Sequence, residues 1–223
     1  TFEFKDNKYY GIPGEMDDSI SMEGVRDYMK SICSHEPRDY QIQGVHDALK
    51  YKRKLILSPT ASGKSLMIYS VVRYFTELGK NTLLIVPTTS LVEQMYKDFE
   101  DYGWNSSEHC HKVYGGSDRT SDKQVVISTW QSIYKLDKSY FNRFDVIIGD
   151  EAHQFKSKSL ISIMSKLHDA KYRFGFTGTL DGSQTHKLVL EGLFGPTYKL
   201  IKTDDLIKKG YLSKLKIKVL LLK

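Results

Sequence analysis

The sequence predicts an α/β domain, a mostly parallel sheet with helices on both faces. Three observations carry that prediction. Short β-rich runs alternate with longer amphipathic stretches from residue 37 onward. A loop ending in Gly63-Lys64-Ser65 joins an apolar run to a helical one, and a second apolar run ends on two adjacent acids, Asp150 and Glu151. Strand-then-helix alternation builds parallel pairs, because each crossover carries the chain back to the edge of the sheet from which the last strand started.

Ahead of this domain, residues 1–36 read as a small α+β unit. Phe2-Glu3-Phe4-Lys5 and Lys8-Tyr9-Tyr10-Gly11-Ile12 flank the polar pair Asp6-Asn7, the pattern of two short strands around a turn, and Pro13-Gly14 closes the second. Ser21 is a candidate helix cap, since Met22, Val25, Tyr28, Met29 and Ile32 follow at near-helical spacing. The α/β domain then covers residues 37–200. It opens with a helix over 38–51. Strands are expected at 54–57, 82–86, 125–128, 145–149 and 172–176, with helices over 65–78 and 91–102. His109, Cys110 and His111 fall in what reads as a polar loop without metal-ligand spacing. Residues 201–223 form a basic segment.

The strongest local signal is Leu55-Ile56-Leu57-Ser58-Pro59-Thr60-Ala61-Ser62-Gly63-Lys64-Ser65, a buried strand, a loop and a helix start. In that context the loop is a Walker A phosphate loop for ATP. Loop and helix-start amides converge on a β-phosphate, and Gly63 permits close approach. Lys64 reaches the β- and γ-oxygens, and Ser65 offers a hydroxyl to Mg²⁺. Ser58 stands where the generic pattern has its first glycine, with Pro59 fixing the turn beside it.

Phe144-Asp145-Val146-Ile147-Ile148-Gly149-Asp150-Glu151-Ala152-His153 delivers its acids at a strand end, the edge where doubly wound sheets bind ligands. Asp150 is placed to hold Mg²⁺ through its water shell. Glu151 is placed to orient and polarise a water attacking the γ-phosphate.

Asp150-Glu151-Ala152-His153 after a Gly-Lys-Ser loop resembles the DEAH-type box of superfamily 2 helicases, and further motifs follow in the family's order. Arg38-Asp39-Tyr40-Gln41 looks like the adenine-reading element, with Gln41 the contact to the adenine edge. Pro87-Thr88-Thr89-Ser90-Leu91-Val92-Glu93-Gln94 is similar to motif Ia. Tyr114-Gly115-Gly116 and Ser128-Thr129-Trp130-Gln131-Ser132 fall where that family touches the nucleic-acid backbone, and Phe176-Thr177-Gly178-Thr179 resembles motif III, with Gly178 where alanine is common. The resemblance implies a RecA-like fold and an ATP-dependent, Mg²⁺-requiring DNA helicase or translocase acting on branched DNA in recombination, repair and replication. It implies catalytic roles for Lys64, Asp150, Glu151 and His153, and ATP contacts from Arg38, Gln41 and residues 58–65. DNA contacts then fall to Thr88, Thr89, Gly115, Gly116, Ser128 and Thr129, and coupling to Thr177, Gly178 and Thr179. Hydroxyls and loop amides hold a phosphate backbone without reading bases, so the DNA partner is expected to be branched or partly single-stranded and bound regardless of sequence. An RNA–DNA hybrid is the alternative substrate. Members of the family use a second RecA-like domain, which supplies an arginine finger. The 44 residues after Thr179 are too few for one.

Charge adds little to this. The net charge is +6, and residues 199–223 hold eight lysines against Asp204 and Asp205, leaving 25 basic and 25 acidic side chains elsewhere. The body is neutral, and the excess sits in the last segment. No apolar run is long enough to span a bilayer, and 40% hydrophobic residues exclude a disordered chain. Cys33 and Cys110, the only cysteines, lie outside any Cys-x-x-Cys pattern, which suits a reducing cytoplasm and excludes a disulfide scaffold. Two other readings stay open from the motifs alone: a nucleotide-sensing module without turnover, and the motor part of a restriction or remodelling complex.

Overall fold

The computed structural model describes residues 16–59, 61–154, 157–167, 169–180 and 184–212. The expected hairpin within residues 2–12 lies outside them, as do Thr60 and residues 213–223. The first half of the described chain runs α1 (Met22–Ile32), α2 (Asp39–Tyr51), β1 (Arg53–Leu57), α3 (Lys64–Glu77), β2 (Thr82–Val86), α4 (Thr89–Asp101), α5 (Ser106–His109), β3 (Cys110–Val113) and β4 (Val125–Thr129). There follow α6 (Trp130–Ile133), α7 (Lys138–Phe141), β5 (Val146–Asp150), a 3₁₀ turn (Ala152–Gln154), α8 (Ser157–Lys166), β6 (Tyr172–Thr177), α9 (Gln184–Phe194), β7 (Thr197–Lys199) and α10 (Thr203–Lys208).

All seven strands join one sheet in the order β3-β4-β2-β5-β6-β1-β7, every pairing parallel. Strands β1 to β5 send side chains to two cores, one on each face, as a sheet covered on both faces requires. Ile56, Leu84, Ile148, Phe174 and Phe176 pack with α1 to α4 on one face. Leu55, Leu83, Ile85 and Ile147 pack with α6 to α9 on the other. Each such fully buried apolar side chain contributes about 1.5–3 kcal/mol relative to exposure. Gly175 on β6 fits this packing for a steric reason: a Cβ there would lie 2.6 Å from Leu55 Cδ1 and 3.0 Å from the Phe194 ring.

Ser21 caps α1, its hydroxyl accepting the Gly24 N–H at 3.1 Å. Val25 and Met29 of that helix join the core of the main sheet. The five strands expected within residues 37–200 are all present, their ends within one residue of the expectation. One reading is corrected. Cys110 and His111 are not in a loop but begin edge strand β3, paired with Val125 and Val126, and His109 ends the turn of α5 before it. The cause is burial: Cys110 is 2% exposed against the first core, which pushes its thiol up to about 12, far from thiolate chemistry at neutral pH. Both cysteines are free. Among the described residues, no helix is long and apolar enough to cross a membrane.

Candidate active site

The C-terminal edge of the sheet gathers the predicted chemistry. β1 and β6 lie side by side and β5 lies beside β6, so the loops after them meet. The Ser58 N–H bonds to the Thr177 carbonyl at 2.9 Å, tying the phosphate loop to the Thr177-Gly178-Thr179 segment. Ser58 itself is fully buried and donates to Ser62 Oγ at 2.6 Å. The residue that departs from the glycine pattern therefore braces the loop from inside. The backbone passes through the left-handed region at Ala61 (φ +63°) and Gly63 (φ +76°). Such turns concentrate N–H groups around an anion. Helix α3 then opens at Lys64 with no side-chain cap, so its first amides are free to meet phosphate oxygens.

Across this loop, Lys64 Nζ pairs with Glu151 Oε1. Glu151 sits at φ +48°, an unfavourable conformation for a side-chain-bearing residue, and its Oε2 accepts the Gly178 N–H at 3.4 Å. His153 Nδ1 lies 2.6 Å from Thr177 Oγ1, and the Thr177 hydroxyl donates to the Thr179 carbonyl at 2.9 Å. The Thr177 hydrogen is thus committed, so the imidazole Nδ1 is the donor. The His153 carbonyl in turn is met by His186 Nε2 at 3.1 Å. Asp150 is 5% exposed and accepts the Glu151 N–H at 2.9 Å. Burial pushes its carboxyl up to about 6, with the Lys64 charge pulling the other way.

On the far side of the loop, the Gln41 amide donates to the Ser62 carbonyl at 3.0 Å while its Oε1 accepts the Arg38 N–H at 2.9 Å. Tyr40 OH also donates to the Ser62 carbonyl, at 2.8 Å, and Arg38 Nη1 donates to Tyr40 OH at 2.9 Å. The guanidinium of Arg38 lies over the Tyr211 ring, 4.2 Å from its centroid. Gln41, Ser58, Ser62, Gly63, Lys64, Ser65, Asp150, Glu151, His153, Thr177 and Gly178 form one constellation.

No group of three or more His, Cys, Asp or Glu among the described residues is arranged to hold a metal ion. Two hard oxygen donors stand at this edge of the sheet, the Ser65 hydroxyl in the first turn of α3 and the buried Asp150 carboxylate at the end of β5. A hard, sparse set of this kind suits Mg²⁺, which keeps several waters and takes substrate phosphates as ligands.

The nucleic-acid candidates divide. Thr88, Thr89, Gly115 and Gly116 are exposed. Thr88 caps α4 by accepting the Leu91 N–H at 3.3 Å, and Glu93 of that helix accepts from Tyr114 OH at 2.6 Å and Lys112 Nζ at 2.8 Å. Motif Ia and the Gly-Gly turn are thereby joined. Ser128 is fully buried and donates to the Thr129 carbonyl at 2.9 Å; Thr129 is 4% exposed, with its hydroxyl 2.8 Å from Ser132 Oγ. Neither hydroxyl is open to a strand here, contrary to the expectation from sequence, because β4 is an interior strand whose last residues point into the protein. Trp130 packs against the second core, edge-on to Tyr134. Sequence reasoning missed Asp98, Tyr102 and Tyr211, which belong to no motif. For Asp98 and Tyr102 only their place in the helix over 91–102 was legible, and Tyr211 fell in the basic segment of residues 201–223.

The sheet and this constellation define a P-loop nucleotide-hydrolase domain of the RecA type. Residues 34–182 match the family described as Type III restriction enzyme, res subunit, and the chain belongs to that family. It is 35% identical over 193 residues to the ATP-dependent DNA helicase uvsW of Enterobacteria phage T4, covering 84% of this chain and 38% of that protein. It is 29% identical over 225 residues to the DNA 3'-5' translocase XPB2 of Sulfurisphaera tokodaii, covering 98% of this chain and 48% of that one. The crystal structure of the UvsW helicase from bacteriophage T4 matches with a TM-score of 0.75 and 33% identity, over 82% of this chain and 69% of that one. The superfamily 2 helicase resemblance read from the motifs is thus shown, and the chain spans less than half the length of these two curated relatives.

Proposed function

We propose that residues 37–200 are the first motor domain of an ATP-dependent DNA helicase or translocase, preceded by the small unit of residues 1–36 and followed by a segment leading to a second RecA-like domain. One observation carries the reading: Lys64, Glu151 and the Gly178 amide, from three separate motifs, meet at one sheet edge. Lys64 and the uncapped α3 amides would hold the ATP phosphates. Ser65 and Asp150 would hold Mg²⁺, which supplies charge neutralisation on the phosphoryl oxygens. Glu151 would polarise the attacking water. His153 and Thr177 would relay the state of that site to Gly178 and Thr179, and Arg38 and Gln41 would face the adenine. DNA would lie along the exposed Thr88, Thr89, Gly115 and Gly116, held by its backbone and therefore without sequence preference. The likeness to a phage ATP-dependent DNA helicase supports DNA as the substrate; the narrower reading, branched or partly single-stranded DNA processed in the cytoplasm during recombination, repair and replication, rests on the motif resemblance alone.

In related P-loop enzymes an arginine finger contributes about 10³–10⁵ in rate. The 223-residue chain by itself is therefore expected to bind ATP yet hydrolyse it slowly, with little increase on adding forked DNA. A steady-state phosphate-release assay with and without forked DNA, single-stranded DNA and an RNA–DNA hybrid measures this. Strong DNA-stimulated turnover by the chain alone would overturn the two-domain reading.

A further inference from the structure

Tyr211 belongs to no motif, yet its ring is set against the element that carries Arg38 and Gln41. Helix α10 ends in a Schellman-type cap. Gly210 takes φ +73° and its N–H bonds to the Ile207 carbonyl at 3.1 Å, while the Tyr211 N–H reaches back to the Leu206 carbonyl at 2.9 Å. Leu206 is fully buried, so the cap that fixes the Tyr211 backbone is itself anchored. The Arg38 guanidinium lies over the Tyr211 ring, 4.2 Å from its centroid, and the ring of Tyr40 is 6.2 Å away. The Tyr211 hydroxyl forms no hydrogen bond among the described residues, so the ring is the operative part.

Arg38 keeps most of its capacity open. A guanidinium has five N–H donors and two faces. Among the described residues Arg38 forms no ion pair, and its side chain makes one hydrogen bond, to Tyr40 OH at 2.9 Å. Tyr40 OH passes the contact on by donating to the Ser62 carbonyl of the phosphate loop at 2.8 Å. A continuous path therefore runs from the end of α10 through Arg38 and Tyr40 to that loop. The aromatic partner matters for what is left over. An acid in its place would neutralise Arg38 and occupy its donors, whereas a ring holds the guanidinium by one face and leaves the charge, the remaining donors and the other face for a ligand. A long side chain restrained in advance also loses less rotamer freedom when the ligand arrives.

We propose that Tyr211 is a positioning residue for nucleobase recognition, its ring holding the Arg38 guanidinium in place beside the base of the bound nucleotide. The proposal rests on the nucleotide reading given above, in which Arg38 and Gln41 face the adenine. It extends the nucleotide site to a residue beyond β7, in the basic segment.

Calorimetric titration with ADP and with inorganic pyrophosphate, both in Mg²⁺, separates the base from the phosphates. Wild type is compared with Tyr211→Leu, Tyr211→Phe, Arg38→Ala and the Arg38→Ala, Tyr211→Leu double variant. Tyr211 is 41% exposed, so Tyr211→Leu should weaken ADP binding about two- to fivefold, the range of a cation–π contact at an exposed site, with pyrophosphate affinity unchanged. Tyr211→Phe keeps the ring and should restore the ADP value. In the Arg38→Ala background, Tyr211→Leu should cost nothing further. Unchanged ADP affinity in Tyr211→Leu would overturn the proposal, and so would tighter ADP binding, the mark of a ring that competes with the base. Equal weakening of ADP and pyrophosphate, the mark of a fold effect, would overturn it too, as would a loss that persists in the Arg38→Ala background. A wild-type chain that binds pyrophosphate as tightly as ADP would instead overturn the adenine reading of Arg38 and Gln41, and this proposal with it.

Discussion

Replacing Glu151 with Gln should slow ATP hydrolysis by about 10²–10⁴ while leaving nucleotide binding intact. The side chain is the meeting point of the site: Oε1 takes the Lys64 ammonium, and Oε2 takes the Gly178 amide and lies 3.4 Å from His153 Nδ1. Glutamine fills the same volume and can still accept from Gly178, so the local fold is kept. It carries no negative charge, so it can neither polarise a water nor hold Lys64 by charge. Freed of its partner, Lys64 is more available to phosphate, and affinity for ADP should hold or improve. Lys64→Ala should do the reverse, lowering affinity by removing the phosphate-facing charge. Single-turnover hydrolysis with protein in excess, paired with equilibrium binding of a fluorescent ADP analogue, reads both quantities. A Glu151→Gln chain that hydrolyses ATP at the wild-type rate would remove Glu151 from the chemistry.

The contrast between these two residues also shows what a sequence makes legible. Lys64 and Glu151 are 87 positions apart, yet each sits in a short pattern whose local geometry, strand to loop to helix, is set by neighbours in the chain. The parallel sheet follows from the same logic, because an apolar run of five residues between amphipathic stretches has few other ways to be buried. Where burial is decided by distant contacts, the reading fails. Cys110 and His111 look polar in their own stretch, and only pairing with Val125 and Val126 makes them a strand. Strand β7 is three residues long, Thr197–Lys199, and its place beside β1 depends on Leu55 and Leu57. Ser128 presents the same hydroxyl to a reader whether it faces a DNA strand or the Thr129 carbonyl, and the structure buries it. Ser58 looked like a weakened glycine position; it is a brace because Ser62 lies one turn of loop away. Tyr102 reads only as the end of an amphipathic helix, and Ser65, whose hydroxyl lies 2.8 Å from the Tyr102 hydroxyl, sits too far along the chain for any local pattern to link the two.

Gly63→Ala should weaken nucleotide binding about 100-fold while costing far less in stability than a core substitution. Two effects combine at this residue. Its φ of +76° lies in the left-handed region, where a side chain costs about 1–2 kcal/mol. In addition, a Cβ there would collide with the Gln41 amide nitrogen. That nitrogen is the far end of a flexible side chain, so the protein can yield by moving it. Yielding breaks the bond from Gln41 to the Ser62 carbonyl, one of two that join α2 to that carbonyl of the phosphate loop, the other coming from Tyr40 OH. A lost neutral hydrogen bond of this kind is worth about 0.5–1.5 kcal/mol, and the sum corresponds to roughly two powers of ten in affinity once binding has to restore the loop. The mechanism separates itself from simple backbone strain by a double-mutant cycle. If the collision with Gln41 matters, Gly63→Ala made in a Gln41→Ala background should cost several-fold less affinity than in wild type, whereas pure backbone strain would cost the same in both. Urea unfolding of all four proteins, alongside ADP binding, keeps loop effects apart from global ones. Equal losses in the two backgrounds would show that Gly63 is needed for its φ alone and that Gln41 is not coupled to the loop through it.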